Sequence, residues 1–249
     1  MSDRFSFLQD IAARVIPGEH HALLSLALGG GKHVRPWLVL RTCEELEIDP
    51  QPLWDAITGI ELLHAASLVH DDIVDHDLTR RGNPNLPARV GVEQSVLYGD
   101  YLFLAALELF SQKKYPPSFA QMAVRVVKEM THAQLMETQG KVDREETYWK
   151  YAQGKTAELF GLCARIPLEF SGTTHASSVA FAKTYGLAFQ VADDLSEEKE
   201  EVCLQRFIGK EAAQQKFQSL LEELKRLDFI PVEELPFIGV EHAFSTGVQ

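Results

Sequence analysis

The longest helical pattern in the chain covers residues 52–75, which read PLWDAITGIELLHAASLVHDDIVD. Apolar residues recur there at helical spacing almost without interruption. Just before it, Pro50 follows Asp49, so that a favourable first helical residue comes after a favourable N-cap. The pattern predicts one helix of about 26 residues, or about 39 Å at the usual rise per residue. Helix is therefore the dominant expectation for this chain.

The predicted helix ends in an acidic cluster, DDIVD at residues 71–75, and a second cluster, DDLSE at 193–197, follows another apolar stretch. Asp71 and Asp75 are four residues apart and share one helix face. Two carboxylates a few Å apart repel each other by on the order of several kcal/mol in a partly buried setting. Carboxylates with open positions suit Mg²⁺, which prefers to keep waters and to share phosphate oxygens. We therefore expect Mg²⁺ between two helices, with a diphosphate as the remaining ligand.

Composition and charge exclude several classes of protein. The 249 residues are 45% hydrophobic, which is ordinary for one globular domain over residues 1–249. The formal net charge of −12 argues against nucleic-acid binding. Cys43, Cys163 and Cys203 form no C-x-x-C pair, so neither structural zinc nor a disulfide framework is expected. No secretory signal and no transmembrane run is expected, and a reducing, cytoplasmic location fits best.

Helices are also predicted at 19–29, 35–47, 91–112, 117–140, 145–171, 176–206 and 209–227. Gly154 and Pro167 are expected to break or kink the helix at 145–171. No segment alternates with period two over a useful length, so no sheet is expected. The tail at 230–249 contains two prolines and is expected either to dock on the body or to stay loose.

Cations accompany the acidic clusters along the sequence. Arginine offers bidentate contacts to phosphate and lysine offers a point charge. Two acidic clusters and several cations imply more than one phosphate group, and two diphosphate substrates would account for them. The cations are Lys32, Arg35, Arg80, Arg81 and Lys155. Two further residues belong with them: His64, two helical turns before the first cluster, and Thr156, next to Lys155.

Six short motifs between about residue 27 and residue 198 resemble, in order, those of the trans-isoprenyl diphosphate synthases, also called polyprenyl synthetases. Any one motif is weak evidence because acidic pairs are common, but six in the expected order are specific. They are GGKHVRP at 30–36, ELLHAASLVHDDIVD at 61–75, RRG at 80–82, GDYL at 99–102, KTA at 155–157 and FQVADD at 189–194.

This resemblance implies an all-α fold, a single-domain bundle of long helices around a central apolar cavity, and usually a homodimer. It also implies the condensation of an allylic diphosphate with isopentenyl diphosphate, which lengthens a prenyl chain by one five-carbon unit. The resemblance further implies that about three Mg²⁺ ions occupy each active site when a diphosphate is bound.

Roles can be carried over to the matching positions. Asp71, Asp75 and Asp193 would hold Mg²⁺ on the allylic diphosphate, with Asp72 and Asp194 supporting them. The residues expected to bind the allylic diphosphate, or to stabilise the carbocation derived from it, are Arg80, Lys155, Thr156 and Gln190. The residues expected to bind isopentenyl diphosphate are Lys32, Arg35, His64 and Arg81.

Two small residues bear on product length. In this family the positions five and four residues before the first aspartate face the growing chain, and here they are Ala66 and Ser67. A growing chain can pass small side chains, so we expect a product of 20 carbons or longer. The aromatic residues that could close the cavity at a deeper level are Tyr98, Tyr101 and Phe103.

The sequence departs from the family pattern at three places. His33 stands where arginine is usual, and Glu197 stands where aspartate is preferred. The third departure is larger, because a stretch that includes a phosphate-facing lysine is missing after the second cluster. Lys199 and Lys210 are candidates to replace that lysine.

Two other functions remain open at this point. The missing stretch is compatible with a catalytically weak or inactive regulatory subunit of a heteromeric prenyl synthase, although a subunit without catalysis has little reason to keep both acidic clusters. A terpene cyclase also binds a prenyl diphosphate through Mg²⁺, but it has no second diphosphate for Lys32, Arg35, His64 and Arg81 to bind. Turnover with and without isopentenyl diphosphate separates the three functions.

Overall fold

The computed structural model describes residues 5–21, 28, 31–196 and 202–236. Several sequence predictions lie outside these residues, namely most of the helix at 19–29, the glycines at 29 and 30, and the sites at Glu197 and Lys199. The described start of that predicted helix is a short 3₁₀ turn, Gly18–His20.

Helices make up nearly all the regular structure of the described chain, as an all-α fold requires. The first of them was not predicted from the sequence, and most of the others lie within a few residues of their predicted bounds. In chain order they are α1 Phe7–Val15, α2 Val34–Glu45, α3 Trp54–Val74, α4 Leu86–Val90, α5 Val92–Phe110, α6 Ser118–Thr138, α7 Glu145–Ala152, α8 Glu158–Ser171, α9 Ala176–Ser196, α10 Leu204–Ile208 and α11 Lys210–Leu227.

The central helix α3 is shorter than predicted at its beginning. The Asp49 carboxylate accepts a hydrogen bond from the Gln51 backbone N–H over 3.0 Å, and a 3₁₀ turn, Gln51–Leu53, precedes the α-helix. Every residue from Ala56 to Leu63 is buried. A helix that is buried on all sides belongs inside a core, and α3 accordingly packs along α5 in the same unit.

A short hairpin between α3 and α4 corrects the expectation of no sheet. Its strands, β1 Thr79–Arg80 and β2 Asn83–Pro84, pair antiparallel with Arg80 opposite Asn83. Arg81 and Gly82 both have positive φ angles, 52° and 75°, as a two-residue type I′ turn requires. Two-residue strands are too short for an alternating pattern to predict them.

The predicted helix at 145–171 is interrupted, but at only one of the two expected residues. A π-helical turn, Gln153–Ala157, contains Gly154 and separates α7 from α8. Helix α8 continues through Pro167 to Ser171, so the helix does not break there, and the alternative of a kink at Pro167 stays a prediction. Proline removes one hydrogen bond of a helix, and the surrounding packing can offset that loss.

The last predicted helices also differ from the structure. The helix predicted at 176–206 is described as far as Ser196, residues 202 and 203 are not helical, and α10 begins as a separate element at Leu204. Beyond α11, the described part of the tail reaches Pro236, whose carbonyl accepts a hydrogen bond from the Tyr185 hydroxyl over 3.1 Å. The tail therefore docks on α9 as far as residue 236.

The chain divides into two compact units. The first contains Met1–Val124 and Ile166–Thr173, and the second contains Arg125–Arg165 and Thr174–Gln249. The expectation that residues 1–249 form one domain stays a prediction. Within the described residues, none of the helices is both long and apolar enough to cross a membrane.

Candidate active site

The first acidic motif lies at the C-terminal end of α3, in the first unit. Asp75 caps this helix, and its backbone N–H donates to the Asp71 carbonyl over 2.8 Å. Asp71 is half-buried and Asp75 is exposed. The carbonyl groups at this end of a helix already carry partial negative charge, so carboxylates are unfavourable there unless a cation is bound. The motif is therefore suited to a cation.

Asp72, the second aspartate of this motif, forms an ion pair with Arg80 of the same unit. Its side chain is only 3% exposed and accepts two hydrogen bonds from Arg80, from Nε over 2.8 Å and from Nη2 over 2.5 Å. A buried carboxylate needs such a partner because an unpaired buried charge is strongly destabilising. This pair fixes the hairpin that carries Arg80 and Arg81 beside the end of α3.

A cationic cluster surrounds His64 in the same unit. Burial and then the charges of Arg35, Arg81, Arg80 and His33 hold the pKa of His64 well below its ordinary value. The imidazole is therefore neutral at physiological pH, while the guanidinium groups around it remain charged. A Cβ atom at Gly31 would lie 3.4 Å from the Arg81 guanidinium, so the turn that leads to Lys32 lies against the same cluster. The arrangement is chemically suited to an anion.

The four residues predicted to bind isopentenyl diphosphate thus come from four places in the first unit. Lys32 is exposed in the turn before α2, and Arg35 lies in the first turn of that helix. His64 lies on α3, and Arg81 lies at the tip of the hairpin. After burial, the charges of Arg35 and Arg81 are the main causes that lower the pKa of His64, so both residues lie near it.

The second acidic motif lies at the end of α9, in the second unit, and its two aspartates again differ. Asp193 is half-buried, whereas Asp194 is buried and accepts three hydrogen bonds. The donors are the Tyr148 hydroxyl at 2.6 Å, the Gln190 amide at 3.0 Å and the Leu204 backbone N–H at 2.8 Å. Asp194 therefore anchors the chain that returns after the second cluster, where the sequence indicates a missing stretch.

The environment of Asp194 also shifts two ionisation equilibria. Burial raises the pKa of Asp194, and its three hydrogen bonds oppose that shift. Burial and the adjacent Asp194 carboxylate raise the pKa of Tyr148 well above its ordinary value. Tyr148 consequently stays protonated and remains a donor to Asp194.

Thr156 and Gln190 are brought together in the second unit. The Thr156 hydroxyl donates to the Gln190 amide oxygen over 2.6 Å, and the Gln190 amide nitrogen donates in turn to Asp194. This chain of hydrogen bonds joins the π-helical turn to the second acidic motif. Gln190 thus orients Thr156 within the unit in addition to any contact with substrate.

Lys155 lies in the π-helical turn and is oriented by two residues that the sequence did not single out. Its ammonium group donates to Glu137 over 2.9 Å and lies 5.1 Å from the centre of the Tyr151 ring. The Tyr151 hydroxyl donates to the other Glu137 oxygen over 2.8 Å. π-helical turns are rare and occur frequently at functional sites.

Sequence reasoning missed four residues of the second unit. Glu137, Tyr148 and Tyr151 were overlooked because each acts through a partner that is distant in sequence or on another element. Gln134 lies three residues before Glu137 on α6, and both of its amide atoms are buried with no hydrogen-bond partner among the described residues. The Gln-x-x-Glu spacing, which places both side chains on one helix face, was the available signal.

The residues predicted to set product length lie in the first unit. Ala66 is fully buried on α3, and the Ser67 hydroxyl turns back to donate to the His64 carbonyl over 2.8 Å. The Tyr98 and Tyr101 hydroxyls bond to His20 and Val15, and the Phe103 ring packs against His70. The role of these three aromatic residues as the cavity floor stays a prediction. Lys210 is exposed at the start of α11, and its role as a replacement for the missing phosphate-facing lysine also stays a prediction.

The donor set fits Mg²⁺. No group of three or more potential metal-ligating side chains is assembled anywhere in the described residues. Mg²⁺ in phosphate-handling sites is usually held by only one or two carboxylates together with substrate phosphates. Asp71 and Asp75 at the end of one helix, beside an anion-binding cluster, suit an ion that binds together with a diphosphate.

Comparison with known proteins identifies a family and several named relatives. The family model described as polyprenyl synthetase matches residues 20–218. The chain is 35% identical to nonaprenyl diphosphate synthase of Mycobacterium tuberculosis, over 70% of this chain and 53% of that protein. It is 33% identical to geranylgeranyl pyrophosphate synthase of Geoglobus acetivorans, over 72% of this chain and 59% of that protein.

Among solved structures, an isoprenoid synthase family member from Thermotoga neapolitana is similar, with a TM-score of 0.82 and 27% sequence identity. That similarity covers 92% of this chain and 93% of the other. The matches to the two curated relatives, in contrast, span little more than half of their length.

Proposed function

The chain belongs to the polyprenyl synthetase family, and from this we propose that it is a Mg²⁺-dependent trans-prenyltransferase. It condenses an allylic diphosphate with isopentenyl diphosphate to give a longer trans-prenyl diphosphate. The observation that carries this proposal is the double role of Arg80, which binds Asp72 of the acidic motif and contributes to the cationic cluster around His64. This contact supports a cation site next to an anion site within one unit, as a metal diphosphate requires.

The acidic motifs have divided roles in this proposal. Asp71, Asp75 and Asp193 hold Mg²⁺ on the diphosphate, and about three ions act per active site. Bound Mg²⁺ would supply positive charge where negative charge develops on the departing diphosphate. Asp72 and Asp194 support the ligands, because the hydrogen bonds that they accept fix the ends of α3 and α9.

The other polar residues bind the substrates. Lys32, Arg35, His64 and Arg81 hold isopentenyl diphosphate, which needs a second phosphate site. Arg80 and Lys155 hold the allylic diphosphate, and Gln190 and Thr156 line its reacting end. The carbonyl and hydroxyl dipoles near Lys155 stabilise the allylic carbocation, and a dry pocket protects that cation from water. The released diphosphate accepts the proton that the isopentenyl unit loses.

The product has 20 carbons or more. Two relatives carry the names nonaprenyl and geranylgeranyl synthase, and the small side chains at positions 66 and 67 leave room on α3. Ala66→Phe should shorten the product because the ring fills the space beside the growing chain. Ser67→Ala is the matched control, since it keeps a small side chain and should leave product length unchanged. The products of the two variants and of the wild type are sized by mass spectrometry after dephosphorylation. An unchanged product length in Ala66→Phe would contradict the expectation.

We also propose that the protein is a homodimer and acts in the cytosol. Leu97 and Leu104 lie seven residues apart on one face of α5 and are 69% and 65% exposed, which supports an apolar contact with a second copy. Cys43, Cys163 and Cys203 are buried free thiols, which fits a reducing compartment.

The test is incubation of the purified protein with Mg²⁺, isopentenyl diphosphate and separate primers of ten, fifteen and twenty carbons. We expect a ladder of prenyl diphosphates that ends at one length, and no ladder from the Asp71→Asn/Asp75→Asn variant. Conversion of a primer without isopentenyl diphosphate would indicate a terpene cyclase. A folded protein that gives no product from any primer would contradict the proposal and favour a regulatory subunit.

A further inference from the structure

A buried carboxylate lies beside the cationic cluster and has no part in the function proposed above. Glu61 is on α3, three residues before His64, and is only 7% exposed. His64 itself is surrounded by Arg35, Arg80, Arg81 and His33. A carboxylate close to a diphosphate site repels the ligand, so its presence there needs a structural reason.

The contact that Glu61 makes supplies this reason. One of its oxygens, Oε1, accepts a hydrogen bond from His33 Nδ1 over 2.9 Å. His33 is the N-cap of α2 and has a left-handed backbone, with φ 46° and ψ 45°. A residue other than glycine adopts this conformation rarely, and it persists only where the surroundings hold it. The Phe5 ring also packs on His33, with 5.4 Å between ring centres.

The conformation of His33 decides where two substrate-binding cations lie. Lys32 is the preceding residue, and Arg35 is in the first turn of the helix that His33 caps. The His33 carbonyl accepts the first backbone hydrogen bond of that helix, from Trp37 over 2.9 Å. A change at His33 would therefore redirect both cations.

The second oxygen of Glu61 marks this carboxylate as more than a packing residue. Among the described residues, Oε2 is buried and has no hydrogen-bond partner. A buried polar atom without a partner lowers stability, and native proteins keep few of them. The hydrogen bond between Oε1 and His33 is therefore the reason for a glutamate at this position.

We infer that Glu61 is a positioning residue, which through His33 holds the turn of Lys32 and Arg35 in the conformation that binds isopentenyl diphosphate; this rests on the proposed function. Glu61 does not contact the substrate. Its hydrogen bond, and not its negative charge, sets the affinity of the site.

Calorimetric titration tests this without turnover. Isopentenyl diphosphate and, separately, inorganic diphosphate are titrated into the full chain in EDTA, so that binding through Mg²⁺ is absent. Glu61→Ala should weaken the binding of both ligands by about tenfold, the equivalent of one hydrogen bond. Glu61→Gln should bind nearly as well as the wild type, because an amide oxygen can still accept from His33.

A rescue variant separates positioning from general damage. Glycine adopts positive φ without strain, so Glu61→Ala/His33→Gly should recover most of the lost affinity. Asp55→Asn is the matched control, because Asp55 is a buried acid on the same helix that pairs with Lys114 instead. It should lower the melting temperature and leave diphosphate binding unchanged.

The opposite results would overturn the inference. If Glu61→Gln weakens binding as much as Glu61→Ala, or binds more tightly than the wild type, then the charge of Glu61 matters and its hydrogen bond does not. If the double variant shows no recovery, His33 does not transmit the effect. If the wild-type protein binds inorganic diphosphate but not isopentenyl diphosphate, the proposed substrate is wrong. The effect of the Glu61 variants on the affinity for inorganic diphosphate would then still test the role of Glu61.

Discussion

At the scale of single residues, each Asp-Asp pair contains one buried aspartate whose hydrogen bonds hold another part of the chain in place. Arg80 binds Asp72, and Tyr148, Gln190 and a backbone N–H bind Asp194. Consecutive residues on a helix point about 100° apart, so one member of each pair faces inward and the other faces a more open side. Asp71 and Asp193 are the more exposed members. The two aspartates of a pair therefore cannot be interchangeable.

Asp71→Asn and Asp72→Asn should consequently differ. Loss of a metal ligand removes several kcal/mol of transition-state stabilisation, so Asp71→Asn should lower kcat by about 100-fold or more. Its free energy of unfolding should fall by less than that of Asp72→Asn, because Asp71 is the more exposed of the two. Asp72→Asn should cost about 1–3 kcal/mol of stability, because it breaks a buried ion pair. Urea unfolding measures the stability of the two variants, and steady-state kinetics measure their kcat. Equal losses of stability in the two variants would contradict the division of roles.

His64 should make stability depend on pH. Its pKa in the folded state lies well below 6.5, so the unfolded chain binds a proton at mildly acidic pH and the folded chain does not. Stability is therefore lost as the pH falls below about 6.5, by about 1 kcal/mol on reaching pH 5.5. His64→Gln should remove this part of the loss. Urea unfolding of the wild type and of His64→Gln at pH 7.5 and 5.5 measures this contribution. An equal loss of unfolding free energy in the two proteins would contradict the prediction.

At the scale of elements, the pairing of α3 with α5 positions the first motif. Helix α3 carries His64, Asp71 and Asp75, and α5 packs along it. At its site end, His70 precedes the first aspartate of the motif and lies against Gly99 of α5. A Cβ atom at Gly99 would lie 2.2 Å from His70 Nε2, which is closer than atoms approach. Gly99 thus allows the ring to pack where the motif begins.

Gly99→Ala should for this reason disturb Mg²⁺ use as well as packing. The displaced His70 ring shifts the end of α3, so the Mg²⁺ concentration for half-maximal activity should rise by about tenfold. Gly59→Ala is the matched control on the same pair of helices, where a Cβ atom would lie 2.9 Å from the Phe110 ring. Both variants should melt at lower temperature. An equal change of Mg²⁺ dependence in both would show that only packing matters.

At the scale of the whole molecule, the two compact units each carry one acidic motif. The first unit also carries the cationic cluster, and the second carries the π-helical turn with Lys155 and Thr156. Each exposed leucine of α5 would be an aggregation risk in a monomer, which favours the proposed homodimer.

Charge on this face of α5 should separate the dimer. Wild-type protein should show twice the 27.9 kDa mass of the chain by light scattering after gel filtration. Leu97→Glu/Leu104→Glu should shift the mass to that of the monomer, because four carboxylates would be buried in a symmetric contact. Leu78→Glu is the control, since Leu78 is as exposed but lies outside α5. A wild-type monomer would refute the homodimer.

The sequence alone determined the helical class, the course of most helices, the family and the identity of the polar residues. These follow from local spacing, since helical periodicity and motif order are properties of neighbouring residues. It failed at the hairpin of Arg80 and Arg81, whose strands are too short for any period. Only the tertiary structure decided that Arg80 neutralises Asp72, that Leu204 and Tyr148 hold Asp194, and that Glu61 holds His33. Those contacts join residues 8 to 46 positions apart, and burial selects them among many polar pairs that the sequence allows.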